Sequence, residues 1–343
     1  YQVEAANFLF DNDRAMILAP VGAGKTAITL TAMQSALHEG VVNRFLVLAP
    51  KRVCTSVWLQ ERDKWAPNMS MAVAVGTPKQ RAAAFNSVAD VVVTNYDNLQ
   101  SLPHLDFDGI VFDELTRLKN PSGARFKALH KLIDCPVRWG LTGSFTSNGL
   151  EDVFGQCKIV DQKLLGRSKG AFQQQYFYLV NKEFNDWAPR KGSLEAVMER
   201  IKPATFVLDA GEYKDKLPPL HTVEVRCDMD MTKYDEMKKD FVVEFPTAKA
   251  IAVNAAVVTG KLQQMASGFV YGDSTEWFST HKFDALDDLL AENQRANTII
   301  FYTYQEELAE LKRRYPKART VDAIDSWNRG EVELLLLHPK SAG

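Results

Sequence analysis

The chain has 343 residues, 46% of them hydrophobic and 24% charged, with a formal net charge of −2. That profile is the one of a soluble globular protein, with a length suited to about two domains, and it excludes a disordered or fibrous chain. No apolar run is long enough to span a bilayer, and Tyr1-Gln2-Val3-Glu4 lacks the basic and apolar regions of a signal peptide. The near-zero charge argues against general nucleic-acid coating, so any binding track must be local. Cys54, Cys135, Cys157 and Cys227 form no CxxC pair and read as reduced core thiols of a cytoplasmic protein. A chain that begins at Tyr1 and stops at Gly343 is expected to be a fragment.

In chain order, Arg14 to Leu18 reads as a strand, followed by a glycine turn and a helix from Lys25 to His38. Further strands are expected at 44–48, 90–94, 109–112 and 137–141. These runs are nearly continuous in apolar and β-branched residues, as parallel strands covered on both faces require. Strands alternating with helices predict a doubly wound α/β layer with its functional loops at the carboxyl ends of the strands. From 148 to 219 the alternation stops, and helix and loop are expected, a protrusion and linker ending at Leu217-Pro218-Pro219. A second α/β unit follows, with strands at 298–302 and 332–337 and a helix from Gln305 to Arg314 between them. The expected domains are thus 1–147, 148–219 and 220–343.

Ala19-Pro20-Val21-Gly22-Ala23-Gly24-Lys25-Thr26 fits the phosphate-loop pattern with Ala19 in place of its first glycine. Gly22 and Gly24 let the backbone take positive φ and approach phosphate closely. The amides through Ala23 then form an anion nest at a helix N-terminus. Lys25 is suited to the β- and γ-phosphates of ATP, and the Thr26 hydroxyl to Mg2+. The competing reading is an ordinary glycine turn. Strand before, helix after and the consecutive Gly-Lys-Thr weigh against it.

Asp113-Glu114 closes the strand that starts at Gly109. Successive strand side chains point to opposite faces. Asp113 is therefore expected to hold the metal and Glu114 to orient the attacking water. Alone, such a pair is a common strand ending; a phosphate loop upstream makes it a candidate catalytic site.

Gln2, the phosphate loop, Leu48-Ala49-Pro50, Val93-Thr94-Asn95-Tyr96, Asp113-Glu114 and Leu141-Thr142-Gly143-Ser144 occur in the order and spacing of superfamily-two helicases. Asp113 to Ser122, Leu217-Pro218-Pro219 and Lys261 to Gly268 resemble features of the SWI/SNF-like branch, and the resemblance covers nearly the whole chain. Short versions of this kind are typical of phage and bacteria. The resemblance implies two RecA-like parallel-sheet domains in tandem, the second incomplete, with a helical insertion between them. It implies that Gln2 reads adenine, that Lys25, Thr26, Asp113 and Glu114 bind and hydrolyse Mg2+-ATP, and that Thr142, Gly143 and Ser144 couple hydrolysis to domain motion. Pro50, Lys51, Thr94, Asn95, Lys119 and Thr303 would lie near the nucleic-acid backbone.

Three departures stand out. Thr116 replaces the histidine of the family's Asp-Glu-x-His box, and Phe145 replaces a proline after the third motif. Leu335 to Gly343 resembles the opening of the fifth motif, so the sixth, which carries the arginine finger, is not in the chain. Slow hydrolysis with intact ATP binding is the resulting expectation, because Arg313, Arg314, Arg319 and Arg329 lie upstream of the finger's place. The six histidines lack metal-ligand spacing. Tyr176-Phe177-Tyr178 reads as core in preference to a base-stacking platform, and Lys238-Lys239 and Lys312-Arg313-Arg314 as solvated helix faces. The leading function is an ATP-dependent motor on double-stranded DNA. A strand-separating DNA or RNA helicase, a phosphate-loop ATPase without nucleic acid, and an ATP-switched scaffold are the alternatives.

Overall fold

The computed structural model describes residues 1–101, 107–130, 135–147, 149–183, 186–208, 220–245, 249–252, 255–292 and 297–340. Packing divides the chain into two units, Tyr1–Pro219 and Leu220–Gly343. The first runs α1 (Gln2–Asp11), β1 (Arg14–Leu18), α2 (Lys25–His38), β2 (Phe45–Ala49), α3 (Lys51–Thr55), α4 (Val57–Trp65), β3 (Met71–Ala74), α5 (Pro78–Phe85), β4 (Val91–Asn95), β5 (Gly109–Asp113), α6 (Ala124–His130), β6 (Val137–Thr142), α7 (Asp152–Val160), α8 (Lys169–Tyr176), β7 (Phe177–Asn181), β8 (Asp186–Pro189), α9 (Ser193–Ile201) and β9 (Thr205–Val207).

Seven of these strands form one sheet in the order β3-β4-β2-β5-β6-β1-β9, and every pairing in it is parallel. The continuous apolar runs are explained by the two faces. Leu46, Leu48, Val92, Ile110 and Phe112 point into one core. Phe45, Val47, Val91, Val93 and Val111 point into the other. A strand with one wet face would have to alternate; these strands have none.

Residues 149–208 are helical in large part, as expected, but they also carry the β7–β8 hairpin and β9. The hairpin escapes a pattern search because Tyr178, Leu179 and Val180 are all exposed, so no burial period marks it. Strand β9 has only three residues and joins the main sheet beside β1. Phe177 and Tyr176 are buried against Phe172, whereas Tyr178 is half exposed. Helix α7 lies in the core through Val153, Phe154, Cys157, Ile159 and Val160. A Cβ on Gly155 would stand 2.1 Å from the Lys119 carbonyl oxygen. Only glycine lets α7 press against the turn that follows Glu114.

The second unit holds the antiparallel pair β10 (Val242–Glu244) and β11 (Lys249–Ile251), the antiparallel pair β12 (Phe269–Tyr271) and β13 (Thr275–Trp277), and the parallel pair β14 (Thr298–Phe301) and β15 (Leu334–Leu337). The helix Gln305–Arg314 connects β14 towards β15, and Ala255–Ala266 is the helix resembling the family's Lys261-to-Gly268 stretch. Arg314 is not a solvated residue: it is largely buried and bridges Glu310, Asp284 and Asp287. The apolar stem can be read from sequence; its acidic partners, Asp284 and Asp287, come from another helix. Leu217-Pro218-Pro219 and Ser341-Ala342-Gly343 lie outside the described residues.

Candidate nucleotide site and nucleic-acid face

Strands β5, β6 and β1 are consecutive in the sheet, with Asp113 paired to Leu141 and Leu18 paired to Thr142. The phosphate loop, the acidic pair and the Thr142-Gly143-Ser144 turn therefore leave the sheet side by side, at its carboxyl edge. Ala19 N–H donates to the Thr142 carbonyl at 3.1 Å, tying the first of these loops to the third.

Gly22 and Gly24 have φ of 84° and 79°. A Cβ on Gly24 would also meet Gln2 Nε2 at 2.4 Å, so glycine is demanded there twice. Ala19 is buried and has no positive φ, which is why alanine serves in place of the pattern's first glycine. Lys25 opens α2, and its Nζ donates to the carbonyls of Ala19 at 2.8 Å and Pro20 at 3.0 Å. Burial lowers its pKa, against the pull of Asp113 and Glu114. Gln2 Nε2 donates to the Ala23 carbonyl at 3.4 Å, fixing the side chain expected to read adenine against the loop itself.

Asp113 ends β5. Its Oδ2 accepts from Trp58 Nε1 at 3.0 Å, and its backbone carbonyl accepts from the Tyr96 hydroxyl at 2.8 Å. Burial pushes its carboxyl up to about 6; the Trp58 hydrogen bond opposes that rise and the neighbouring Glu114 adds to it. Among the described residues no three His, Cys, Asp or Glu side chains form a metal cage. Magnesium does not need one: it is held by one or two protein oxygens plus substrate phosphates. The Thr26 hydroxyl and the half-buried Asp113 carboxylate, oxygen ligands both, fit that ion.

Glu114 differs from the sequence expectation. The pleat ends at Asp113, so strand alternation does not set the direction of Glu114. It sits instead in the left-handed region, φ 65° and ψ 69°, and caps the short turn Leu115–Leu118. Backbone strain of this kind concentrates where geometry is functional. Its Oε1 accepts a short hydrogen bond from the Thr116 hydroxyl, the residue that replaces the family's histidine.

Thr142 is fully buried; its hydroxyl donates to the Ser144 carbonyl at 2.8 Å and accepts from Ser144 N–H at 3.2 Å. Phe145, in place of proline, fills the core, and its carbonyl accepts from Gln156 of α7 at 2.9 Å. A hollow of about 780 Å3 is lined by Pro20, Val21, Glu114, Thr116, Lys119, Gly143 and Ser144, among others. A second, of about 420 Å3, lies across Val21 and is lined by Gln2, Gly22, Gly24, Lys25 and Thr26 on one side and by Val57, Glu61, Lys64 and Trp65 of α4 on the other.

The residues expected near nucleic acid are not all at the surface. Pro50 caps α3 and Lys51, its first residue, is exposed. Thr94 and Asn95 are buried, and Asn98 Nδ2 ties them together at 3.1 and 2.6 Å, so these side chains shape the loop from within. Lys119 is paired with Asp152 of α7 at 3.1 Å. Thr303, in the second unit, is exposed and its N–H donates to Glu307. The sequence reading missed Trp58 and the α4 wall, and took Tyr96 only as part of the Val93-to-Tyr96 motif, without its bond to Asp113. The signal available was Trp58, Glu61 and Trp65 recurring on one helical face soon after the Leu48-Ala49-Pro50 motif.

The family model described as SNF2-related domain matches residues 1–260. A protein of Acyrthosiphon pisum secondary endosymbiont phage 1 is 34% identical over all of this chain and 81% of its own length. An uncharacterized ATP-dependent helicase of Mycoplasma genitalium is 24% identical over 94% of this chain, which spans only 32% of that protein. Among solved structures, the SWI2/SNF2 ATPase core of Sulfolobus solfataricus in complex with dsDNA is similar with a TM-score of 0.56 at 18% identity, covering 98% of this chain and 77% of that one.

Proposed function

The chain belongs to the SNF2-related domain family, and on that premise we propose that it is an ATP hydrolase that drives movement along double-stranded DNA. One observation supports this most: the phosphate loop, Asp113-Glu114 and Thr142-Gly143-Ser144 emerge from three neighbouring strands at one edge of the sheet. In this reading the loop amides and Lys25 bind the phosphates. Thr26 and Asp113 would hold a magnesium ion, which when bound offsets charge on the phosphate oxygens. Glu114 orients the attacking water and takes its proton, and its fixed left-handed backbone keeps the carboxylate aimed. Thr142 and Ser144, locked to each other, would couple hydrolysis to domain motion, and Thr303 of the second unit would lie near the nucleic-acid backbone.

Lys51 is the exposed cation of the proposed DNA face, with Pro50, Thr94 and Asn95 shaping the surface beside it and Lys119 held by Asp152. Among the described residues no helix is long and apolar enough to cross a membrane; the bacterial cytoplasm, during phage infection, is the setting this reading implies. The test is steady-state ATPase with and without duplex DNA, followed by displacement of a third strand from a triplex. DNA-stimulated hydrolysis, triplex displacement without duplex unwinding, and an affinity for DNA that falls steeply with salt are expected. Unwinding of a forked duplex would favour a strand-separating helicase, and hydrolysis indifferent to any nucleic acid would overturn the motor reading.

A further inference from the structure

Helix α7 touches both the turn that follows Glu114 and the loop that follows Ser144, and it does so through one face. Asp152, Gly155 and Gln156 lie at i, i+3 and i+4, so they are neighbours on that face. Asp152 Oδ2 accepts from Lys119 Nζ at 3.1 Å, and Gly155 presses on the carbonyls of Leu118 and Lys119. One residue on, Gln156 Nε2 donates to the Phe145 carbonyl at 2.9 Å and to the Asp152 carbonyl at 3.2 Å.

Gln156 is fully buried. Its two carbonyl partners dictate which end of the amide faces them, and Oε1 meets no donor among the described residues. A buried polar atom left unpaired works against folding and calls for an explanation. Leucine would fill much of the same space with no polar atom of its own to satisfy. What the amide adds is a directional hold on the Phe145 carbonyl. Val153, Phe154 and Cys157 keep α7 in the core, but apolar burial is non-directional. The hydrogen bond fixes how the helix sits against the loop.

We propose that Gln156 is a positioning residue for hydrolysis, holding α7 to the loop after Ser144 so that the same helix face holds the turn that aims Glu114. Asp152 and Gly155 are the contacts to that turn, and its Thr116 hydroxyl bonds the Glu114 carboxylate. The inference rests on the reading of Glu114 as the group that orients the attacking water, and adds to it what keeps that group in place. Gln156 lines neither hollow, so its loss should fall on turnover and not on ATP binding.

The experiment is single-turnover ATP hydrolysis by the whole chain with magnesium and duplex DNA, beside a calorimetric ATP titration, at a temperature where circular dichroism shows every variant folded. Gln156→Leu should slow hydrolysis about tenfold, the scale of one hydrogen bond, with ATP affinity unchanged. A buried glutamate tends to keep its proton and can then donate it to the Phe145 carbonyl. Relative to wild type at the same pH, Gln156→Glu should therefore be more active at pH 6 than at pH 8. Asp152→Asn cuts the other end of the same link, so the double variant with Gln156→Leu should be no slower than the slower single one. A Gln156→Leu rate within twofold of wild type would overturn the proposal. So would a matching loss of ATP affinity, or losses that multiply in the double variant. A Glu114→Gln chain that hydrolyses like wild type would instead sink the reading of Glu114, and this inference with it.

Discussion

In the first unit, burial pushes Asp113 up to about 6 and lowers Lys25 beside it. In the second, the Arg313 hydrogen bond, followed by Arg314, holds Glu310 down at about 2. Glu307 is also lowered: burial would raise it, but Thr303 N–H and Tyr304 N–H more than offset that, at 2.8 and 3.0 Å. The contrast separates two uses of charge. Groups whose partners are all in the chain are shifted towards their charged forms and serve the fold. Asp113 and Lys25 are shifted towards neutrality by burial, which a bound phosphate and metal would offset, and such shifts gather at functional sites. The comparison can be broken by substituting equivalent residue types on its two sides.

The largest effect is expected at Glu114. Glu114→Gln keeps the shape and the left-handed backbone but removes the base, and turnover should fall about a thousandfold with ATP binding retained. Single-turnover hydrolysis alongside a binding titration measures both. Near-normal hydrolysis would reduce Glu114 to a strained turn residue.

Next in size is the lysine pair. Lys25→Ala removes the ammonium proposed to face the phosphates, and ATP affinity should fall about a hundredfold, as for loss of charge-assisted hydrogen bonds. Lys282 in the second unit is already bound to Glu307 at 3.3 Å and Ser267 at 3.1 Å. Lys282→Ala should leave ATP affinity unchanged and lower the melting temperature. Equal losses of ATP binding in the two variants would dissolve the distinction between the units.

Thr116 lies between these classes, because a residue of the chain, not a ligand, completes Glu114. Thr116→Val is isosteric and removes only the hydroxyl. The value of kcat should fall about tenfold with KM unchanged, since one hydrogen bond to a charged group is lost, and Thr116→Ser should restore it. A change in KM alone would mean that Thr116 acts on nucleotide binding and not on the carboxylate.

How much of this was legible beforehand differs between the units for a physical reason. Strands covered on both faces announce themselves as apolar runs, so β1, β2, β4, β5 and β6 were found to within a residue at either end. Strand β3, at the sheet's edge, has mostly half-buried residues and gives no such run. The three-residue strands of the second unit are too short for any period to register. At the site, the residues proposed to meet phosphate follow in an unbroken string, Gly22 to Thr26. Residues that hold those in place, such as Trp58 for Asp113, are 55 positions away and meet only through the fold. Alternation does not reach Glu114, because the pleat ends at Asp113 and Glu114 takes a left-handed backbone.

The smallest effects are those of pH, and they should have opposite signs in the two units. Asp113 has a folded pKa raised from 3.8 to about 6. Between those values the folded chain binds the extra proton, so the ligand-free protein gains stability as pH falls through about 6 and loses it as pH rises. Asp113→Asn removes the buried charge and should be more stable than wild type at pH 8, with the gap closing as pH falls below 6. Glu310 is the reverse. Its folded pKa is depressed from 4.5 to about 2, so its contribution is fully present above 4.5 and is lost as pH falls towards 2. Glu310→Gln should therefore be less stable than wild type at neutral pH, with the gap shrinking only below pH 4.5. Urea unfolding of the three proteins at pH 8, 6 and 4 reads both trends. Gaps of the same sign at pH 8 would show that Asp113 is as well satisfied without ligand as Glu310 is. Burial alone would then not identify the nucleotide site, and the case for Asp113 as a metal-holding group would rest on its place beside the phosphate loop.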